Sequence, residues 1–176
     1  MIQNSVFTEP RAFGKALGDI LRKLSRYFAL GGGIVLCSIV VISSLSIAGR
    51  ILFDSPLTGD FELTEMGCAM AIFMFMPWCQ LNRGNVIVDF FTLRLSEKYR
   101  LMLDAFTSFI FAGVVALFTY RMVFGGLDMF NYQDQTMLLQ IPIWIPFIPA
   151  VLSFLLLFIV CLYTAYLNIQ NSLTIR

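Results

Sequence analysis

Four apolar stretches, 27–49, 63–81, 105–120 and 141–167, dominate the chain, and together they hold one charged residue, Glu65, near the edge of the second. An α-helix rises about 1.5 Å per residue and a hydrocarbon core is about 30 Å thick, so about 20 residues cross it. The first and last stretches reach that length unaided. The second does so when it starts at Glu62. The third needs its flanks from Leu101 to Phe124, with Asp104 and Arg121 reaching outward to the headgroups. The pattern predicts an all-α membrane protein with four transmembrane helices over about 27–49, 62–81, 101–124 and 141–167. They form a single integral membrane domain across 1–176.

Residues 11–28 follow a different rhythm. Phe13, Ala16, Leu17, Ile20, Leu21, Leu24 and Phe28 recur at helical spacing, with Lys15, Asp19, Arg22, Lys23 and Arg26 on the other face. An amphipathic helix over 11–26 is predicted to lie on the membrane surface and lead into the first span. Its bland role is an anchor, and its sharper one a brace that also touches a partner subunit. A second interfacial piece is predicted over 86–100, where Val86, Ile87, Phe90, Phe91 and Leu95 face lipid.

Breaks in the pattern refine the spans. Pro77 lacks an N–H donor and is expected to kink the second span or end its regular bonding. Pro142, Pro146 and Pro149 share one face at the start of the fourth, with Pro142 suited to a first helical turn. The carbonyls that such prolines free must find donors on neighbours. Small residues at Gly31-Gly32-Gly33, Ser44/Ala48, Gly67/Ala71 and Ala112/Ala116 predict close helix packing. Residues 125–140 read as a polar, acidic loop with Leu127, Met129 and Phe130 interleaved. That composition suits an ordinary external loop and a docking surface for a water-soluble partner equally. Asp128 and Asp134 are its candidate docking residues.

Composition agrees with a membrane location: 59% of residues are apolar and 13% charged, against about 25% charged in soluble domains. Charge also sets direction, because Lys and Arg near span ends favour the cytoplasm. Arg11, Lys15, Arg22, Lys23, Arg26, Arg83, Arg94, Lys98, Arg100 and Arg176 fall on one side, and only Arg50 and Arg121 on the other. Both termini are predicted to be cytoplasmic. Ser46-Ile47-Ala48 resembles a signal cleavage site, but the first apolar run is longer than a signal's, so an uncleaved span is expected.

Little reactive chemistry is legible. The chain has no histidine, which excludes bis-histidine haem and imidazole metal sites. Cys37, Cys68, Cys79 and Cys161 fall in predicted spans without a C-x-x-C pair and read as packing residues. No phosphate loop, nucleophile elbow or metal cluster is present in the sequence. Glu62 and Glu65 share a face at the end of span two, where solvation explains them better than a cation site. A charge at mid-bilayer costs roughly 3 kcal/mol or more, a cost that ion-carrying chains accept. These spans carry none at that depth, which points to a part of a transport machine other than the part that transports.

Three segments carry a family resemblance: Gly59-Asp60-Phe61-Glu62-Leu63, Asn82-Arg83-Gly84-Asn85-Val86-Ile87-Val88-Asp89-Phe90-Phe91 and Leu139-Gln140-Ile141-Pro142-Ile143-Trp144. In order, spacing and topology they resemble the small membrane subunit of tripartite ATP-independent periplasmic (TRAP) transporters, over about residues 25–165. Many members have histidine where Asn85 stands; asparagine keeps hydrogen bonding but does not titrate.

The resemblance implies a complex in the bacterial inner membrane. A periplasmic substrate-binding protein captures a small organic acid, and a large permease subunit moves it by a sodium-driven elevator motion. The small subunit widens the static scaffold and helps form the docking surface. Sodium ions belong to the large subunit and no cofactor to this chain. Membrane lipids are further partners; nucleic acid is not. Arg83, Asn85 and Asp89 become candidate contacts to lipid or partner in the cytoplasmic loop, and Glu62, Pro142 and Trp144 candidate scaffold-packing residues. The competing reading is a self-sufficient four-helix channel or exporter, with a membrane enzyme third.

Overall fold

The computed structural model describes the backbone over 12–54, 58–82 and 97–174, and side chains over 16–54, 58–82 and 103–170. These residues form four α-helices: α1 (Ala12–Phe53), α2 (Asp60–Leu81), α3 (Glu97–Tyr132) and α4 (Phe147–Thr174). Among the described residues there is no strand, only an isolated bridge between Gln135 and Pro142.

Three helices, over Ala16–Phe53, Leu103–Tyr132 and Phe147–Gln170, are long and apolar enough to cross a membrane. α2 is not among them. Its 22 residues have the length of a span, but Asp60, Glu62 and Glu65 occupy its first two turns and Gln80 its last. The sequence makes the third span the one that depends on its flanks. In the structure α3 is amply long, and α2 is the helix whose polar ends dilute it.

Element boundaries depart from the sequence pattern in three places. First, no break separates the amphipathic segment from the first span: α1 is one helix of 42 residues. Leu21 shares a core cluster with Leu156 and Val160 of α4, and Gly18 lies directly against the Tyr163 ring. Second, the expected loop over 125–140 is helical as far as Tyr132. Within this stretch of helix Gly126 serves close approach to α4. A Cβ there would come within 3.2 Å of the Phe147 Cβ. Third, α4 begins at Phe147, so Pro142 is not in its first turn as expected. Pro142 belongs to the bridge with Gln135. Pro149 is the proline in the first turn of α4, where a missing N–H costs little. The interfacial piece over 86–100 lies largely outside the described residues; from Glu97 the chain is already in α3.

The helices pack in the spatial order α1, α2, α4, α3. Between α3 and α4 the core is Ala112, Val115, Phe154, Leu157 and Cys161, joined by Phe73 of α2. Between α1 and α2, Gly32 permits the approach: a Cβ would lie 3.1 Å from the Ala71 carbonyl oxygen. Gly67 faces Ile39 and Val35 in the same way. Of the small-residue pairs, Gly67/Ala71 and Ala112 are therefore used, whereas Ser44 and Ala48 are exposed. Among the cysteines, only Cys161 is buried, and Cys37 and Cys79 are exposed.

Polar groups join the helices as well. Ser46 of α1 donates to Asp60 Oδ2 of α2 at 2.6 Å, and the hydroxyls of Ser43 and Thr64 are 3.2 Å apart, while Thr64 also donates within α2 to the Asp60 carbonyl at 2.8 Å. In the middle of the bundle, Ser153 Oγ donates to the Phe73 carbonyl at 2.6 Å. α2 continues through Pro77 to Leu81.

Candidate functional site

The end of the bundle where α2 and α4 begin is closed by a hairpin, residues 133–146. It starts at a helix stop. Gln133 takes a left-handed φ of 53°, and the amides of Gln133 and Asp134 donate back to the carbonyls of Phe130 and Met129. Those two bonds are the Schellman pattern, which satisfies carbonyls a helix end leaves free. The chain then folds on itself. Thr136 N–H donates to the Ile141 carbonyl, Ile143 N–H to the Asp134 carbonyl, both at 3.0 Å, and Ile141 N–H to Thr136 Oγ1 at 3.1 Å. Trp144 closes the base by an edge-to-face contact with Phe130, centroids 5.5 Å apart.

The hairpin tip is held by α2. Glu62 Oε1 accepts the Leu138 N–H at 2.8 Å, and Oε2 accepts the Leu139 N–H at 3.0 Å. Glu62 stands in the first turn of α2, ahead of the apolar run 63–81. Desolvation under the hairpin opposes its ionisation, but the Leu138 and Leu139 amides, helped by Thr136 and Met137, outweigh it. The carboxyl is held below its ordinary range.

Gly59 completes the clasp. Its φ of 87° is one that side chains rarely adopt. The Leu139 side chain also occupies the space a Cβ would need. Two segments far apart in sequence, 59–63 and 139–144, thus meet in one structure.

The sequence-predicted residues divide accordingly. Glu62, Pro142 and Trp144, the candidate packing residues, all belong to this arrangement, Glu62 through a carboxylate clasp rather than the cation site or end-of-span solvation weighed for it beside Glu65. Asp128 is exposed on the last turns of α3 rather than in a loop, and Asp134 is half-buried with its main chain building the hairpin. Arg83, Asn85 and Asp89 lie outside the described residues. The signal for the clasp was present in Gly59 followed by carboxylates, but nothing local named its partner 76 residues away. Among the described residues, no group of three or more Cys, Asp or Glu is placed to hold a metal ion.

A family model described as "Tripartite ATP-independent periplasmic transporters, DctQ component" matches residues 39–171. No curated protein matches the chain, and no solved structure does. The matched region takes in both halves of the clasp, all of α2, α3 and the hairpin, and most of α4. On that match, the chain belongs to the family of DctQ components of tripartite ATP-independent periplasmic transporters.

Proposed function

We propose that the protein is the non-catalytic scaffold subunit of a TRAP-type secondary transporter. It crosses the bacterial inner membrane four times with both termini in the cytoplasm. It supports a large elevator-type permease subunit, and its 133–146 end helps dock a periplasmic binding protein during sodium-coupled uptake of small organic acids. In this reading Arg22, Lys23 and Arg26 meet the inner headgroups, and α2 spans despite its polar ends because α1 and α4 flank it.

One observation carries the scaffold role. Among the described residues, no Asp, Glu, Lys or Arg is buried. The interhelical polar contacts of Ser153 and Ser46 end on the protein's own groups. Among the described residues Ser25 Oγ is the one buried side-chain oxygen or nitrogen without a hydrogen-bond partner, and a lone hydroxyl makes a poor ligand set for a moving solute or cation. A bundle packed in this way also resists internal sliding. Both properties suit a fixed frame against which another subunit moves.

The test is extraction from the native host in mild detergent. The chain should copurify with a much larger membrane protein, and purified alone into liposomes it should carry no organic acid. Extraction only as a free monomer, or uptake by the chain alone, would refute the assignment and favour a self-sufficient channel or exporter.

A further inference from the structure

Two large apolar side chains project from the hairpin tip. Met137 is 96% exposed and Leu138 64% exposed. The backbone beneath them is fixed: Glu62 holds the amides of Leu138 and Leu139, Leu139 is seated on Gly59, and the Phe130–Trp144 contact pins the base. Folding gains little from holding an exposed Met-Leu pair in one shape. Binding gains much, since a turn already ordered loses less freedom on association. Methionine is also unbranched and adapts to the shape of a recess.

Charge around the tip selects among occupants. Asp54, Asp128, Asp134 and the carboxylates of α2's first two turns lie on the helix ends and hairpin here, against Arg50 at the end of α1. An acidic rim is repelled by anionic headgroups and attracts a basic one. We infer that Met137 and Leu138 form an apolar knob that seats in a basic-rimmed recess of a water-soluble partner protein, with Glu62 as the positioning residue that holds the knob in its binding shape. This rests on the docking role proposed above, in which that partner is the periplasmic binding protein.

The experiment uses the whole complex in vesicles of phosphatidylethanolamine and phosphatidylglycerol, with purified binding protein added outside. Met137→Asp and Leu138→Asp should each raise the binding-protein concentration for half-maximal uptake by about tenfold or more. Uptake at saturating binding protein should stay unchanged. Glu62→Ala should move the same parameter in the same direction, and Glu62→Gln, which keeps one acceptor oxygen, by less. Met137→Ser stands in should the Asp variant fail to copurify with the large subunit. Unchanged half-saturation in the tip variants overturns the proposal.

A second arm distinguishes lipid from protein. A bimane label is placed by Met137→Cys in a chain whose Cys37, Cys68, Cys79 and Cys161 are replaced by Ala. Binding protein should shift its emission to the blue and shield it from iodide. Quenching by spin-labelled lipid, unaltered by binding protein, would place the knob in the bilayer and overturn the proposal. Failure of the scaffold reading looks different: the chain would not copurify with a large subunit at all.

Discussion

Ser153 Oγ lies 2.6 Å from the carbonyl oxygen of Phe73, four residues ahead of Pro77. In an unbroken helix that carbonyl would accept the amide of residue 77, and proline has none. The hydroxyl of α4 supplies the missing donor, and both Ser153 and Pro77 are buried. A defect in one helix is thereby turned into a bond between two.

This relationship predicts a thermodynamic cycle. Ser153→Ala strands the Phe73 carbonyl in an apolar interior and should destabilise the subunit by roughly 1 kcal/mol. Pro77→Ala restores the intrahelical bond, so the loss from Ser153→Ala should shrink markedly in that background. Thermal unfolding of the four proteins in one detergent measures the coupling. Equal losses in both backgrounds would show that Ser153 acts through packing alone.

The triple glycine of α1 predicts opposite outcomes at adjacent positions. Gly32 faces the Ala71 carbonyl at 3.1 Å and Met74 Cβ at 3.2 Å from a would-be Cβ, whereas Gly33 has nothing within 4 Å. Gly32→Leu should force α1 from α2 and cost roughly 1–3 kcal/mol. Gly33→Ala should leave the isolated subunit unharmed, or stabilise it by up to about 1 kcal/mol through helix propensity. The same unfolding assay compares them.

Glu62 predicts a pH response at the hairpin. Its carboxyl is held below the ordinary value of 4.5, so the clasp's contribution is fully present above that value. It is lost as pH falls through the lowered pKa. At neutral pH the Leu138 and Leu139 amides should be protected from hydrogen exchange. Acidification past that point should remove the protection beyond the change in intrinsic rate, and Glu62→Gln should lower it at neutral pH. Protection that ignores both would detach Glu62 from the hairpin's order.

Gly59→Ala should loosen the same clasp from the other side. The residue would carry a strained backbone, at roughly 1–2 kcal/mol, and its methyl would displace Leu139. The expected result is faster exchange at Leu138 and Leu139 with the α1–α2 contacts intact. Crosslinking between Ser43→Cys and Thr64→Cys, whose parent hydroxyls are 3.2 Å apart across that interface, would report those contacts.

Much of the fold was legible because apolar runs of span length admit few structures. The family was legible because Gly59–Leu63 and Leu139–Trp144 are short, ordered signatures. Boundaries were harder, since local signals had tertiary uses. The polar composition of 125–140 looked like a loop, yet the helix runs on to Tyr132 with Phe147 packed on Gly126. Pro142 looked like a helix start until its neighbours Asp134 and Ile143 paired across the hairpin. The donor for Phe73 and the amides for Glu62 come from elements 80 and about 76 residues away. No periodicity within one segment encodes such a meeting.

The unbroken course of α1 has a mechanical corollary. At about 1.5 Å per residue, its 42 residues make a rod about 63 Å long, roughly twice a bilayer's hydrocarbon thickness. A stiff shaft of that length works as a lever. In the four-span orientation proposed above, a tug on the basic end near Arg22 is carried toward Phe53 along one continuous helix.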